Sequence, residues 1–308
     1  MFAAADPLFQ KPQKPSAYTF ELGARYWYGQ GETAKDLFNI AGTSMVSRLT
    51  YADFRTHSGE IFGRMDHTSS LFWKGYAGTG AIQGGNLNDE DFPPLTSPYS
   101  STTSEMRKGT LSYASIDGGF NVIKGGDFRV GLFGGYHFLT EKLDAYGCTQ
   151  LATNPSICAG SVPTYVAVIT QDNTWHSLRL GMDAELELFN RLRLSLDAAW
   201  LPYVSLNGTD SHWLRIGTSA GSFTGAIPED GTGTGWQLEA ALSYKLTDKA
   251  NIGVGGRYWR METEGHTHFE GRVVATNSAP QPVNWKTEHV GVFVQASFKF
   301  GPYSSSGF

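Results

Sequence analysis

No run in the 308 residues approaches the 18 or so apolar residues that a membrane helix needs, so a helical span is excluded. Lys and Arg number 24 against 29 Asp and Glu, and they nowhere cluster, which argues against nucleic acid as a partner. Charge of either sign is scarce, at 17 %. Nothing resembles a phosphate-binding glycine loop or a serine-nucleophile motif, which removes two large enzyme classes. The opening "MFAAADPLFQKPQKP" lacks a positively charged segment followed by an apolar core, and is expected to be a mature or tagged N-terminus left after a signal is removed. Cysteine occurs only at Cys148 and Cys158, in "CTQLATNPSIC". An isolated pair bracketing a loop with Pro and Asn suits a disulfide better than a metal site, and so favours an oxidising compartment.

Glycine (37 residues) and aromatics (13 %) are plentiful, and the chain alternates. In "WHSLRLGMDAELEL" the even positions are Leu178, Leu180, Met182, Ala184, Leu186 and Leu188, while the odd ones include Arg179, Asp183, Glu185 and Glu187. A period of two is that of a strand. After a turn at Asn190 the pattern resumes, with Leu192, Leu194, Leu196, Ala198 and Trp200 against Arg191, Arg193, Ser195 and Asp197. "WQLEAALSYKL", "HVGVFVQASFKF", "YTFELGARYWY" and "FRVGLFGGYHF" divide in the same way.

A soluble sandwich would bury the apolar faces and wet the charged ones. Three features favour a membrane barrel instead: strands of ten residues or more, aromatics such as Trp175, Trp200, Trp236 and Phe300 near strand ends, and short connections alternating with long ones. The short turns are "KGGD", "FNR" and "LTDKA", and the long connections are expected near 30–46, 83–107, 146–171, 205–233 and 265–284. Five long connections imply ten strands. The predicted fold is all-β, a ten-stranded antiparallel transmembrane β-barrel with long extracellular loops and short periplasmic turns. Residues 1–16 would form an N-terminal periplasmic segment, 17–300 the barrel and 301–308 a C-terminal tail. Inward Arg, Asp, Glu and Lys would fill a lumen of this size, which disfavours an open channel.

Function on such a scaffold tends to sit in the long loops. "GGNLNDEDF" places Asp89 and Asp91 two residues apart, and "NGTDSHW" does the same with Asp210 and His212, so on an extended backbone each pair projects to one side. Asp beside His fixes the ring and stabilises the imidazolium, which prepares the His to take a proton from water. Two close carboxylates resist ionising together. Each motif alone is ordinarily a solvated turn.

In order and spacing these stretches resemble the omptin family, ten-stranded outer-membrane endopeptidases of Gram-negative bacteria. "GGNLNDEDF" is similar to the family's Gly-Gly-Asn run into Asp-x-Asp-aromatic, "TDSHW" to its Asp-x-His-aromatic, "VSRLTY" to the opening of its second strand, and "FRVGLFGGY" to a central strand ending in Gly-Tyr. The resemblance implies an aspartic-type endopeptidase in the outer membrane with its active face extracellular. His212, oriented by Asp210, would act as base toward water, and Asp89 and Asp91 would face them across the mouth. The implied partners are a peptide or protein substrate, outer-membrane lipid and lipopolysaccharide. No metal or bound organic cofactor is implied, and the chain is expected to be a monomer.

The chain also departs from that pattern. Gly208 stands where the family has a substrate-binding acid, and Glu32 lies near a second such carboxylate. Phe138 and Thr140 replace the Glu and Arg that contact lipopolysaccharide, leaving Glu141 and Lys142 as charged neighbours, and Thr50 replaces an aspartate in "VSRLTY". Even positions face lipid through Trp200, so an unbroken strand would point Asp210 and His212 outward. A bulge or break between Pro202 and Thr209 is therefore expected. In "METEGHTHFEG" the co-facial Glu262, Glu264, His266, His268 and Glu270 could bind a divalent metal, but read more simply as a hydrophilic rim. "NLNDED" lacks the spacing of a calcium loop. The alternatives to an endopeptidase are a catalytically silent barrel serving as adhesin or structural protein and, third, a small-solute channel.

Overall fold

The computed structural model describes residues 17–92, 98–154, 157–158, 160–189 and 191–301. The expected N-terminal segment 1–16 and all of the tail after Gly301 lie outside the described residues. The strands are β1 (Tyr18–Phe38), β2 (Met45–His67), β3 (Leu71–Gln83), β4 (Asn86–Asp91), β5 (Ser100–Lys124), β6 (Phe128–Gln150), β7 (Val162–Leu188), β8 (Leu192–His212), β9 (Ile227–Lys245), β10 (Ala250–Thr267) and β11 (Gln281–Phe300). Each pairs antiparallel with its neighbours and β1 pairs with β11, so the sheet closes and leaves no edge. β3 and β4 lie end to end between β2 and β5, so the ring is ten strands around, with one strand broken at Gly84–Gly85.

Connections at one end, 68–70, 125–127, 189–191 and 246–249, are only three or four residues long. Those at the other end, 39–44, 92–99, 151–161, 213–226 and 268–280, are longer but much shorter than the sequence suggested. Residues 30–38, 100–107, 162–171 and 205–212 continue the strands, and β7 reaches 27 residues. Their Gly, Ser, Thr and Asn content reflects water on the outer face there. It does not mark irregular backbone.

The outer surface falls into two zones. A belt of exposed apolar side chains, among them Leu22, Ile61, Leu132, Leu180, Leu238 and Val292, is bounded below by Phe20, Phe128 and Phe298 and above by Tyr28, Tyr136, Trp200, Tyr203 and Trp236. This is the apolar band with aromatic girdles of a lipid-facing barrel. Above it the outward positions turn charged, with Arg260–Glu262 and Lys286–Glu288 pairs. Trp175 is a correction to the expected girdle. Its odd position turns it inward, where it is buried and donates to Glu141.

Inside the belt, charges are matched. Arg257 bridges Glu60 (2.6 Å) and Glu239 (2.7 Å), and Arg25 joins the same two carboxylates. Below them Arg193 holds Glu21 through two bonds, Arg129 and Arg64 reach Glu185 and Asp183, and Lys74 and Arg179 reach Asp197. Above this ladder Trp27, Tyr113, Tyr76 and Trp259 pack ring against ring, with Trp27 and Trp259 centroids 5.0 Å apart. Ion pairs and aromatics together fill the lumen, and a charged cavity of about 120 Å³ lies within the ladder.

Candidate active site

Both halves of the sequence-predicted site reach the inner wall through a change of strand phase. On β8 the inward residues are Arg193, Ser195, Asp197, Ala199 and Leu201, then Val204, Leu206 and Asp210. The pairing with β9 skips from Leu201 to Val204, and that with β7 shifts at the same place. The bulge expected beside Pro202 is present there, since proline has no N–H to give the ladder. It turns Asp210 and His212 inward.

On the other wall the shift runs across adjacent strands. Asp53 of β2 adopts φ 56°, Gly84 and Gly85 adopt φ 66° and 84°, and the β5–β6 register slips between Met106 and Lys108. A Cβ on Gly85 would lie 2.3 Å from the Ala52 carbonyl oxygen, so this close approach requires glycine. Below the break Ile82 faces inward, and above it Leu87, Asp89 and Asp91 do. Without the glycine pair, the two aspartates would point out.

His212 lies twelve residues beyond Trp200 on β8, at the last residue of the strand, on the order of 40 Å along the chain above the aromatic girdle. The site therefore stands in the water-facing mouth. His212 Nε2 is 2.9 Å from Asp210 Oδ2, and Phe223 packs edge-on against the ring at 5.7 Å between centroids. The His212 side chain keeps 17 % exposure, enough for water to reach it, whereas Asp210 is buried. Burial alone would lower the His212 pKa, but the charge and hydrogen bond of Asp210 outweigh it and raise it. Burial would likewise raise Asp210, yet His212 and Lys35 hold its carboxyl well below the usual range.

Asp89 is half-buried, with backbone partners Leu49 and Thr102. Burial pushes its carboxyl up to about 6, Asp91 and Asp210 add to this, and the charge of His212 opposes it. The two walls thus interact electrostatically. Asp91 is raised by burial too, against a hydrogen bond from Ser47.

Three residues that the sequence reading missed complete the site. Lys35 of β1 is buried, and its Nζ donates to Asp210 Oδ2 at 2.5 Å and to Glu229 Oε1 at 2.8 Å. Glu229 of β9 also accepts from Gln171 Nε2 at 2.9 Å and Thr267 Oγ1 at 3.1 Å. The Tyr51 hydroxyl is buried without a hydrogen-bond partner among the described residues, and the charges of Asp210, Glu229 and Asp89 all act on it. Extending the two-residue period of β1 and β9 would have put Lys35 and Glu229 inward, whereas Tyr51 lies beyond the phase change at Asp53, where the same extension would turn it outward.

Glu32 is a correction. It lies outside the wall, 45 % exposed and 3.7 Å from Lys286, because the inward positions of β1 are the odd ones, such as Thr33 and Lys35. Gly208 faces inward, but the space its side chain would take is filled by Asn173, whose Oδ1 would sit 2.6 Å from a Cβ there. Glu141, a charged neighbour of the lipopolysaccharide-contact positions together with Lys142, is fully buried and accepts from Thr33, Trp175 and His289. Cys148 and Cys158 form a disulfide, with Cα atoms 5.7 Å apart. In "METEGHTHFEG", His268 is held between Asp230 and Glu270, and Glu262 pairs with Arg260. Among the described residues no group of His, Cys, Asp or Glu is arranged to hold a metal.

No family model matches the sequence, and no curated protein does. Among solved structures, the outer membrane protease OmpT from Escherichia coli superposes with a TM-score of 0.72 at 14 % identity, over 94 % of this chain and 99 % of that one. The translocator domain of the autotransporter NalP from Neisseria meningitidis (TM-score 0.38, 10 % identity, 94 % and 90 % covered) and the attachment invasion locus protein Ail of Yersinia pestis (0.29, 8 %, 91 % and 98 %) match far more loosely. At 14 % identity the likeness to OmpT is one of fold, and the fold this chain shares with it is a closed antiparallel barrel.

Proposed function

We propose that this chain is an endopeptidase of the bacterial outer membrane, cutting peptide bonds in the extracellular mouth of its barrel. The observation that carries this reading is the Asp210–His212 hydrogen bond on one inner wall, electrostatically coupled to Asp89 on the other. His212 gives Nε2 to Asp210, which leaves Nδ1 to take a proton from water as it attacks the peptide carbonyl. Asp210 stabilises the imidazolium that results. Asp89 and Asp91 position the water, and whichever of the two holds a proton can donate it to the developing oxyanion. OmpT, a protease of the same fold, is consistent with this assignment. The substrate is a peptide or exposed protein segment able to enter the cleft.

A second reading, a catalytically silent barrel that binds or supports, is favoured by one observation: Lys35 and His212 compete for the same oxygen of Asp210. The two readings separate on an unbiased peptide mixture, with the protein folded in detergent with and without lipopolysaccharide, beside His212→Ala and Asp89→Ala. Cleavage that disappears in both variants supports the peptidase. No cleavage by the unmodified protein in either condition sinks it.

A further inference from the structure

Beside the dyad, two buried carboxylates already hold a cation that belongs to the barrel. The Lys35 ammonium has three N–H donors, and all three are used, on Asp210, Glu229 and Gln171 Oε1 (3.2 Å). Nζ also lies 5.1 Å from the centroid of the Trp285 ring. Glu229 has no free oxygen, since Oε2 accepts from Gln171 and Oε1 from Lys35 and Thr267. On the same wall Gly208 offers no side chain, and the Asn173 amide occupies the gap.

An arginine or lysine side chain entering this corner would meet a like charge fixed among acceptors of which Asp210 Oδ1 alone has no hydrogen-bond partner among the described residues, without water to screen it. An acidic side chain gains nothing, because Asp210 and Glu229 already outnumber Lys35 two to one. We propose that Lys35 closes this corner to cations, so that the cleft selects an uncharged substrate side chain at the position facing Glu229. This rests on the reading of the mouth as a peptide site. Lys35 then determines specificity while Glu229, left free, would reverse it.

The test reads binding and cleavage separately. The folded protein and Lys35→Ala are titrated with N-acetyl-arginine amide and N-acetyl-norleucine amide, followed by tryptophan fluorescence, and then given the peptide mixture. The expected result is at least a tenfold gain in arginine-amide affinity in Lys35→Ala, removed again when Glu229→Gln is added. Lys35→Gln, which keeps a hydrogen-bonding side chain, should move the same way by less, and it decides the matter if the alanine variant does not fold. No gain in arginine binding in either Lys35 variant, or tighter binding of arginine amide than norleucine amide by the unmodified protein, overturns the proposal. Absence of cleavage alongside the tenfold gain would refute the peptidase and leave the closed corner standing.

Discussion

The lower and upper halves of the barrel interior use the same residue types to opposite ends. Below, Arg25, Arg257, Glu60 and Glu239 form a closed square in which each charge meets two of opposite sign. Above, Asp89 and Asp91 stand near one another with no cation bound to either carboxylate by an ion pair among the described residues, and His212 shares Asp210 with a lysine. Satisfied charges hold a lumen closed, whereas unmatched carboxylates and a tunable imidazole leave proton affinity available for chemistry. Substitutions in the upper half should therefore change activity and leave stability nearly intact, and those in the lower half the reverse.

The largest expected effect is at the dyad. His212→Ala should lower peptide hydrolysis by roughly 10²–10⁴-fold with an unchanged urea midpoint. Deleting Pro202 should instead leave hydrolysis nearly unchanged, because removing the extra residue of the bulge matches Leu201–Val204 two for two against Gly235–Gly233 and keeps Asp210 and His212 inward. Activity lost to the extent seen in His212→Ala would show that the inward phase of Asp210 and His212 is not set by the one extra residue at the bulge. In the lower half, Arg257→Met leaves Glu60 and Glu239 buried with one cation fewer, and should cost about 3–5 kcal/mol in unfolding from lipid while cleavage in the folded fraction persists.

How far the sequence could be read follows the same division. The even–odd pattern of β7 and β8 survives intact within the lipid belt, because lipid on one side and a charged lumen on the other impose opposite chemistry on alternate residues. Above the belt both faces are polar and the contrast fades. Residues 30–38 and 162–171 consequently looked like loops, although they are strand. The break at Pro202 was legible because a phase conflict required it. The matching break at Asp53 and Gly84–Gly85 is not legible in the sequence, since "GGNLNDEDF" has the composition of a loop and no phase to conflict with. Lys35 and Glu229 escape for the same reason: each sits at an inward position of a strand whose upper half has the composition of a loop. Glu32, one residue off that phase, was placed in the cleft and belongs outside.

The acid limb of the rate profile is the next, smaller effect. His212 must be neutral to accept a proton, and its pKa is raised, against burial, mainly by Asp210. The neutral form accumulates above that raised value, so activity should be lost as pH falls through it, at a pH above the ordinary 6.5 of histidine. Asp210→Asn removes the principal cause and should move the limb to lower pH while reducing the rate. Lys35→Gln removes a charge that lowers the His212 pKa and should move it upward. Limbs that coincide in all three proteins would exclude His212 as the titrating base.

The smallest effect belongs to the disulfide, and it tests whether the two halves unfold together. Cys148 and Cys158 are ten residues apart, at the top of β6 and in the connection to β7, well above the aromatic plug. A crosslink over a loop of this size can stabilise a cooperative fold by up to about 3 kcal/mol through the entropy of the unfolded chain. That gain reaches the global transition only if the loop opens together with the barrel, whereas a loop that opens by itself reports only its local equilibrium. Since the ion ladder and aromatic plug lie entirely below it, the Cys148→Ser, Cys158→Ser double variant should keep the urea midpoint of the parent and be nicked faster by an added protease between residues 148 and 162. A drop of the full 3 kcal/mol in global stability would mean that mouth and lumen melt as one unit, and the separation of an active upper half from a structural lower half would fail on energetic grounds.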